Sequence, residues 1–207
     1  FRNVGNYKDA IKGLVGVLGT LGASVGIGQI FKNITGTIIE FDQAQADLSA
    51  ISGKTKDELA GLTEQAKILG GTSQFTATEI SNMQIELAKL GFTTSEIKAS
   101  TEAVSNFASA TGADLASASK VAGATLRAFG LDASEMERVV STLGVATTKS
   151  ALSFQSFETG MSTIAPVAAT FGFSVEETTA LLATLSDAGF DASSSATATR
   201  NILLNLA

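Results

Sequence analysis

TATEISNMQIELAKLGFTTSEIKASTEAVSNFASATGADLASASK, residues 76–120, is the stretch whose reading decides the fold. Thr76 is followed three positions later by Glu79, and Thr93 by Glu96. A Ser or Thr at that spacing from Glu is a capping box, in which each side chain satisfies a backbone N–H that a helix start leaves open. Behind the first cap, Ile80, Met83, Leu87 and Leu90 recur at the helical period. Behind the second come Ile97, Thr101, Val104 and Ala108, with Phe107 alongside. Gly91 and Phe92 stand between the two runs. Glycine there ends a helix in the left-handed conformation, and the following aromatic can pack back on the next helix. The unit is therefore cap, apolar stripe, glycine, apolar residue, cap.

The unit recurs outward in both directions. Further boxes are read at Thr55 with Glu58, Asp132 with Glu135, and Ser174 with Glu177, and weaker starts at Thr111 with Asp114, at Ser153 and at Asp191. The preceding turns are assigned to Gly70 and Gly71, Gly112, Gly130 and Leu131, Gly172 and Phe173, and Gly189 and Phe190. Starts spaced about 17 to 21 residues apart hold one short helix and one short turn each. Apolar stripes follow at Leu59, Leu62 and Ala66; at Leu115, Ala118, Ala122, Leu126 and Phe129; at Met136, Val139, Val140, Leu143 and Ala146; and at Leu181, Leu182, Leu185 and Ala188. Phe154, Phe157, Met161 and Ile164 form a less regular run, which Pro166 is expected to break or kink. No stretch alternates as a strand does, and Ala opposes strands. The expectation is an all-α fold, a compact bundle or array of short capped helices. Side chains do not recur from pair to pair as in a true repeat solenoid.

The start of the chain differs. Residues 13–31, GLVGVLGTLGASVGIGQIF, carry no charge and include six glycines at 13, 16, 19, 22, 26 and 28. Three readings stay open for it: a tightly packed glycine-lined helix, a membrane-inserting helix, and a flexible lead-in. From about 27 to 50, Ile30, Ile34, Ile38, Ile39, Phe41, Ala44, Ala46 and Leu48 mark one face of a longer amphipathic helix. The domains are drawn as a lead-in at 1–50 and a helical core at 51–207. The chain begins at Phe1 rather than Met and stops inside a helical pattern, so a piece of a longer protein is expected.

Composition narrows the chemistry. Of 207 residues, 78 are Ala, Thr or Ser, and none is His, Cys or Trp. Disulfides, thiolate nucleophiles and the usual triads are thereby excluded, and the commonest zinc ligands are missing. The net charge of -6 argues against specific nucleic-acid binding. Residues 1–38 are net positive and the remainder strongly acidic. Glu176 and Glu177 read as first-turn residues of a helix rather than an acid/base pair. Asp132, Ser134 and Glu135 lack calcium-loop spacing, and Lys54, Lys56, Asp57 and Glu58 read as solvated surface. Phe154, Phe157, Phe171 and Phe173 are assigned to core packing, Arg127 and Arg200 to surface or interface pairing. No catalytic, cofactor-binding or metal-ligating residue is nominated, and no cofactor.

The phrases ISGKTKDELAGLTEQAKILGGTSQFTATEI, ELAKLGFTTSEIKASTEAVSNFASATGADLASASKV, LRAFGLDASEMERV and APVAATFGFSVEETTALLATLSDAGFDAS occur in this order. Together they resemble the core region of phage tail tape measure proteins of the TP901 type, over about residues 45–207. The closing stretch departs from that pattern, with Ser195 and Ala196 where the family has glycine. The resemblance implies a mostly helical structural protein of a phage or prophage tail. Such a protein lies in the tail lumen of the virion, after assembly in the host cytoplasm. It would set tail length, scaffold tube assembly and help DNA delivery. It implies self-association into a multimer, contact with tail tube and tail tip or initiator proteins, and no enzymatic activity. The competing reading is a membrane-active helical protein that contacts the host membrane through residues 13–31.

Overall fold

A computed structural model describes residues 27–206, with the side chains of residues 36–205. The glycine-rich stretch up to residue 26, and with it most of the 13–31 reading, lies outside the described residues. The described residues are helical and contain no strand. The helices are α1 (Ile27–Ser52), α2 (Ala60–Thr72), α3 (Ala77–Lys89), α4 (Thr94–Thr111), α5 (Leu115–Ala128), α6 (Met136–Lys149), α7 (Phe154–Thr170), α8 (Val175–Asp187) and α9 (Ala192–Leu206). A 3₁₀ turn at Ala133–Glu135 leads into α6. The chain divides into two units, Phe1–Gln43 and Ala44–Ala207. In the first, the described residues are helical and Ile39 is 63% exposed. The second holds the end of α1 and helices α2 to α9.

Helices of 13 to 18 residues are marginal alone, so packing must hold them. The packing follows a rule: α3, α5, α7 and α9 each lie against the next of that series, and α2, α4, α6 and α8 do the same. The chain thus alternates between two rows of helices. The apolar stripes face the seam. Leu62, Ile80, Met83, Leu87, Leu126 and Leu143 are fully buried there, as are Phe157 and Leu182.

The junctions are built as the sequence suggests. Gly91 has φ +78° and donates its N–H to Ala88 O, while the Phe92 N–H reaches back to Leu87 O. This pair of bonds is the Schellman motif, which satisfies the last carbonyls of a helix. It recurs at Gly130 with Leu131, Gly172 with Phe173, and Gly189 with Phe190. Complete capping boxes form at Thr76 with Glu79, Thr93 with Glu96, and Ser174 with Glu177. Ser153 and Asp191 cap α7 and α9 through the N–H groups of Ser156 and Ser194.

Other expectations are corrected. Asp132 makes no side-chain cap bond, because the chain enters α6 through a 3₁₀ turn and Glu135 turns to Arg138 instead. Asp114 alone caps α5, accepting from the Ser117 N–H, while the Thr111 hydroxyl bonds back to Phe107 O. The Thr55–Glu58 box forms, but on a turn one step before α2 begins. Helix α7 continues through Pro166 to Thr170. The carbonyl that Pro leaves without a helical donor belongs to Ser162. Both residues are exposed, so water can take its place. In α8 only Leu182 of the expected stripe is buried; Leu181 and Leu185 are half-buried and Ala188 is exposed. Among the α1 residues whose side chains are described, Ala44, Gln45 and Leu48 are buried, while Ala46 is exposed.

Gly70 and Gly71 do not form the turn expected of them. Both lie within α2, and a Cβ on Gly70 would stand 2.4 Å from the Ala77 backbone nitrogen. Gly70 is there to let the start of α3 come close. A Cβ on Gly71 meets nothing within 4 Å. Gly70→Ala should therefore destabilise the fold by about 1–3 kcal/mol through overpacking. Gly71→Ala should stabilise it by up to about 1 kcal/mol through helix propensity. Urea unfolding midpoints of the two variants should move in opposite directions; equal shifts would contradict the close approach.

Candidate functional site

Three kinds of local structure could carry function: clusters of ionisable groups, buried polar groups, and open surfaces between helices. Among the described residues, no group of Asp and Glu is placed to hold a metal ion. Each carboxylate pair singled out from the sequence has a structural partner. Glu177 closes the Ser174 box. Glu176 pairs with Arg138, which also holds Glu135 at 2.6 Å. Burial works against ionisation of Glu176, but its own backbone N–H and Arg138 outweigh this and lower its pKa; the two carboxylates raise that of Arg138. Lys54 pairs with Glu58 at 3.1 Å. The backbone N–H of Thr55 first, then Lys54, holds the Glu58 carboxyl down to about 2. Backbone N–H donors likewise lower Asp114, through Ser117, and Asp191, through Ser194. These are helix-start carboxylates kept ionised by hydrogen bonds to the charged form.

Buried amides tie the first helices together. The Gln45 side chain is 9% exposed; its Nε2 donates to Ser81 Oγ at 2.7 Å and its Oε1 accepts from Thr63 Oγ1 at 2.6 Å. This joins the end of α1 to α2 and α3. Gln84 is fully buried and donates to Leu62 O at 3.3 Å. Neither glutamine stands out in the sequence, since the partners that explain its burial lie in other helices.

The most elaborate surface cluster surrounds the turn between α3 and α4. Arg127, near the end of α5, places its guanidinium carbon 4.1 Å from the centroid of the Phe92 ring. Its Nη2 donates to Gly91 O and to both Glu96 oxygens, each at 3.3 Å. One planar cation thus covers the turn's aromatic, carbonyl and capping carboxylate at once. The Thr93 backbone N–H is the main cause lowering the Glu96 pKa, with Arg127 adding to it. Sequence reading assigns Arg127 to pairing but does not name its partners, which lie about 31 to 36 residues away.

Of the aromatic residues assigned to the core, Phe157 is fully buried and Phe154 stands against Phe107, ring centroids 5.8 Å apart. Phe173 is 37% exposed, a correction: among the described residues no arginine lies over its ring as Arg127 lies over that of Phe92. Two open grooves flank α6. One, against α8, has a volume of about 550 Å³ and is lined by Val145, Thr179 and Ala183 among others. The other, against α4, shares Ser141 and Val145 with it. Val145 is 61% exposed on the ridge between them. Small apolar and hydroxyl side chains make up much of both, with Lys149, Glu176 and Asp187 in the first and Phe107 and Glu137 in the second, a surface suited to helix contact.

A family model described as phage-related minor tail protein matches residues 63–207. The chain is 33% identical over 168 residues to the tape measure protein of Pneumococcus phage Dp-1. It is 31% identical over 169 residues to the probable tape measure protein of Escherichia phage P2. Each alignment covers 81% of this chain, but the chain spans only 15% and 21% of those proteins. No solved structure matches.

The Arg127 cluster yields a stability prediction. Both partners are partly exposed, so solvent screens the pair. Arg127→Met should cost about 1 kcal/mol, and its coupling to Glu96→Gln in a double-mutant cycle should be roughly 0.5–1 kcal/mol. The ionic part should shrink in 1 M salt. Because folding depresses the Glu96 pKa below 4.5, its contribution is present above that value and is lost as pH falls through the folded-state pKa. Denaturant unfolding of wild type and Glu96→Gln from pH 7 downward should converge at acid pH.

Proposed function

The chain belongs to the phage-related minor tail protein family, among the tape measure proteins, and from that premise we propose that it is a folded helical node of a tail-length ruler. The observation that carries this reading is the likeness to two tape measure proteins along four-fifths of the chain. The order of motifs supports a TP901-type core within that family. On this reading the protein lies in the lumen of the virion tail after assembling in the host cytoplasm. Tube subunits stack around it, and the length of the chain sets how many rings form. Tail tube and tail tip or initiator proteins are its partners, copies associate with one another, and it assists DNA delivery.

The physical side of the reading is geometric. The described surface offers grooves between short helices and ties its helix-start carboxylates to the backbone, so what it supplies is shape and contact. Residues 51–207 form the helical core domain in this reading, preceded by the lead-in at 1–50. The membrane-active alternative receives no support from the described residues, where no helix is long and apolar enough to cross a membrane.

Tail length tests the proposal. In a phage or prophage carrying this gene, inserting a continuous 50-residue helix outside residues 44–207 should lengthen the tail by roughly 75 Å, from about 1.5 Å of rise per residue. Electron micrographs of purified tails give the measurement. Tails of unchanged length would overturn the ruler.

A further inference from the structure

Two junctions in the chain share one pattern: glycine, phenylalanine, a hydroxyl cap and a glutamate three residues after the cap. They are GFTTSE at 91–96 and GFSVEE at 172–177. Their backbones agree. Gly91 and Gly172 both have φ +78°, both glycines belong to Schellman motifs, and both hydroxyls sit in complete capping boxes. Their surroundings differ. At the first, Arg127 lies over the Phe92 ring and binds Gly91 O and Glu96, and Phe92 is 5% exposed. At the second, Phe173 is 37% exposed and Glu177 bonds only to Ser174. Arg138, which reaches this turn, is committed to Glu135 and Glu176. The same acceptor set is therefore built twice and filled once.

One arginine matches the vacancy. Three arginines fall among the residues whose side chains are described. Arg127 and Arg138 are paired, whereas Arg200 is exposed and has no partner among the described residues. Arg200 lies in the second half of α9, beside Ile202 and Leu204, which are 60% and 48% exposed. Helices α7 and α9 run the same way, because α8 returns the chain between them through short turns. The arginine and the 172–177 turn therefore face the same end of the array.

We propose that two copies associate by exchanging these groups: Arg200 of each copy covers Phe173 and binds Glu177 of the other, with Ile202 and Leu204 adding apolar contact. The arrangement is self-complementary, donor and acceptor being present on every copy, as a two-fold interface requires. A planar guanidinium satisfies the ring and the carboxylate together, where an ammonium serves one at a time. The inference rests on the self-association proposed above and names the surface that performs it.

Sedimentation equilibrium of the 207-residue chain tests it. Wild type should self-associate, and the dissociation constant should rise at least tenfold in Arg200→Glu and in Phe173→Ala. Arg200→Lys should weaken association less than Arg200→Glu. Glu177→Gln keeps the capping geometry while removing the charge, and it should weaken association with unchanged helix content by circular dichroism. In an equimolar mixture of Arg200→Glu and Phe173→Ala the mixed pair keeps one of the two reciprocal contacts intact, so it should associate more tightly than Arg200→Glu alone and less tightly than wild type. Undiminished association in all the variants would overturn this interface and leave self-association standing through another surface. A wild-type chain that stays monomeric at several hundred micromolar would overturn both, while the tail-length reading is judged separately in the virion. Mixed pairs no tighter than those of Arg200→Glu alone would overturn the exchange.

Discussion

A glycine with positive φ at the end of a helix lets six residues do what would otherwise need solvent or a neighbouring element. The helix before it has carbonyls without donors, and the helix after it has N–H groups without acceptors. In the 87–96 segment the Gly91 and Phe92 N–H groups satisfy Ala88 and Leu87, and Thr93 and Glu96 exchange bonds to open the next helix. The chain can therefore reverse direction without burying an open backbone group. Short helices become possible in quick succession, and only then can α3, α5, α7 and α9 stack as one row against the other. A glycine replaced by any L residue at such a turn strains the backbone and weakens both helices it joins.

Most of this was legible in the sequence because caps and stripes are local. Thr76, Thr93 and Ser174 announce their helices through a glutamate three residues on, and the burial of Ile80, Met83 and Leu87 follows from their spacing. What escaped was decided by distant neighbours. Gly70 looks like a turn residue, yet it is helical because Ala77 must come within touching distance of it. Asp132 has the right spacing for a box, but Arg138 draws Glu135 away. Pro166 is tolerated because its turn faces outward, which no local pattern states.

The surface clusters were legible to a lesser degree. That Arg127 pairs with something can be read from an isolated arginine on an apolar helix. That it covers a particular phenylalanine and closes a particular capping box depends on how α5 lies over the turn before α4. Gln45 and Gln84 were invisible for the opposite reason. A buried amide looks like any solvated glutamine until its partners, Thr63 and Ser81 for Gln45, come from helices further along the chain. The exposure of Phe173 is the same effect in reverse: the pattern of glycine, phenylalanine, hydroxyl cap and glutamate is shared with Phe92, and the cover over the ring is what differs.

Composition and architecture then point the same way. A chain rich in Ala, Ser and Thr makes thin helices that approach closely, and it leaves shallow grooves such as those beside Val145 rather than deep pockets. Several of its carboxylates keep helix starts in place, as the lowered pKa values of Glu58, Glu96, Asp114 and Asp191 express. A carboxylate already accepting from a backbone N–H is a weaker proton acceptor and ligand, so the same hydrogen bonds that secure the junctions withdraw these groups from chemistry. Among the described residues the surface also offers shape, scattered apolar side chains and, in Arg200, an arginine without a partner. Those are the means by which a protein recognises other helices, and they suit a component whose work is to occupy length and bind its neighbours.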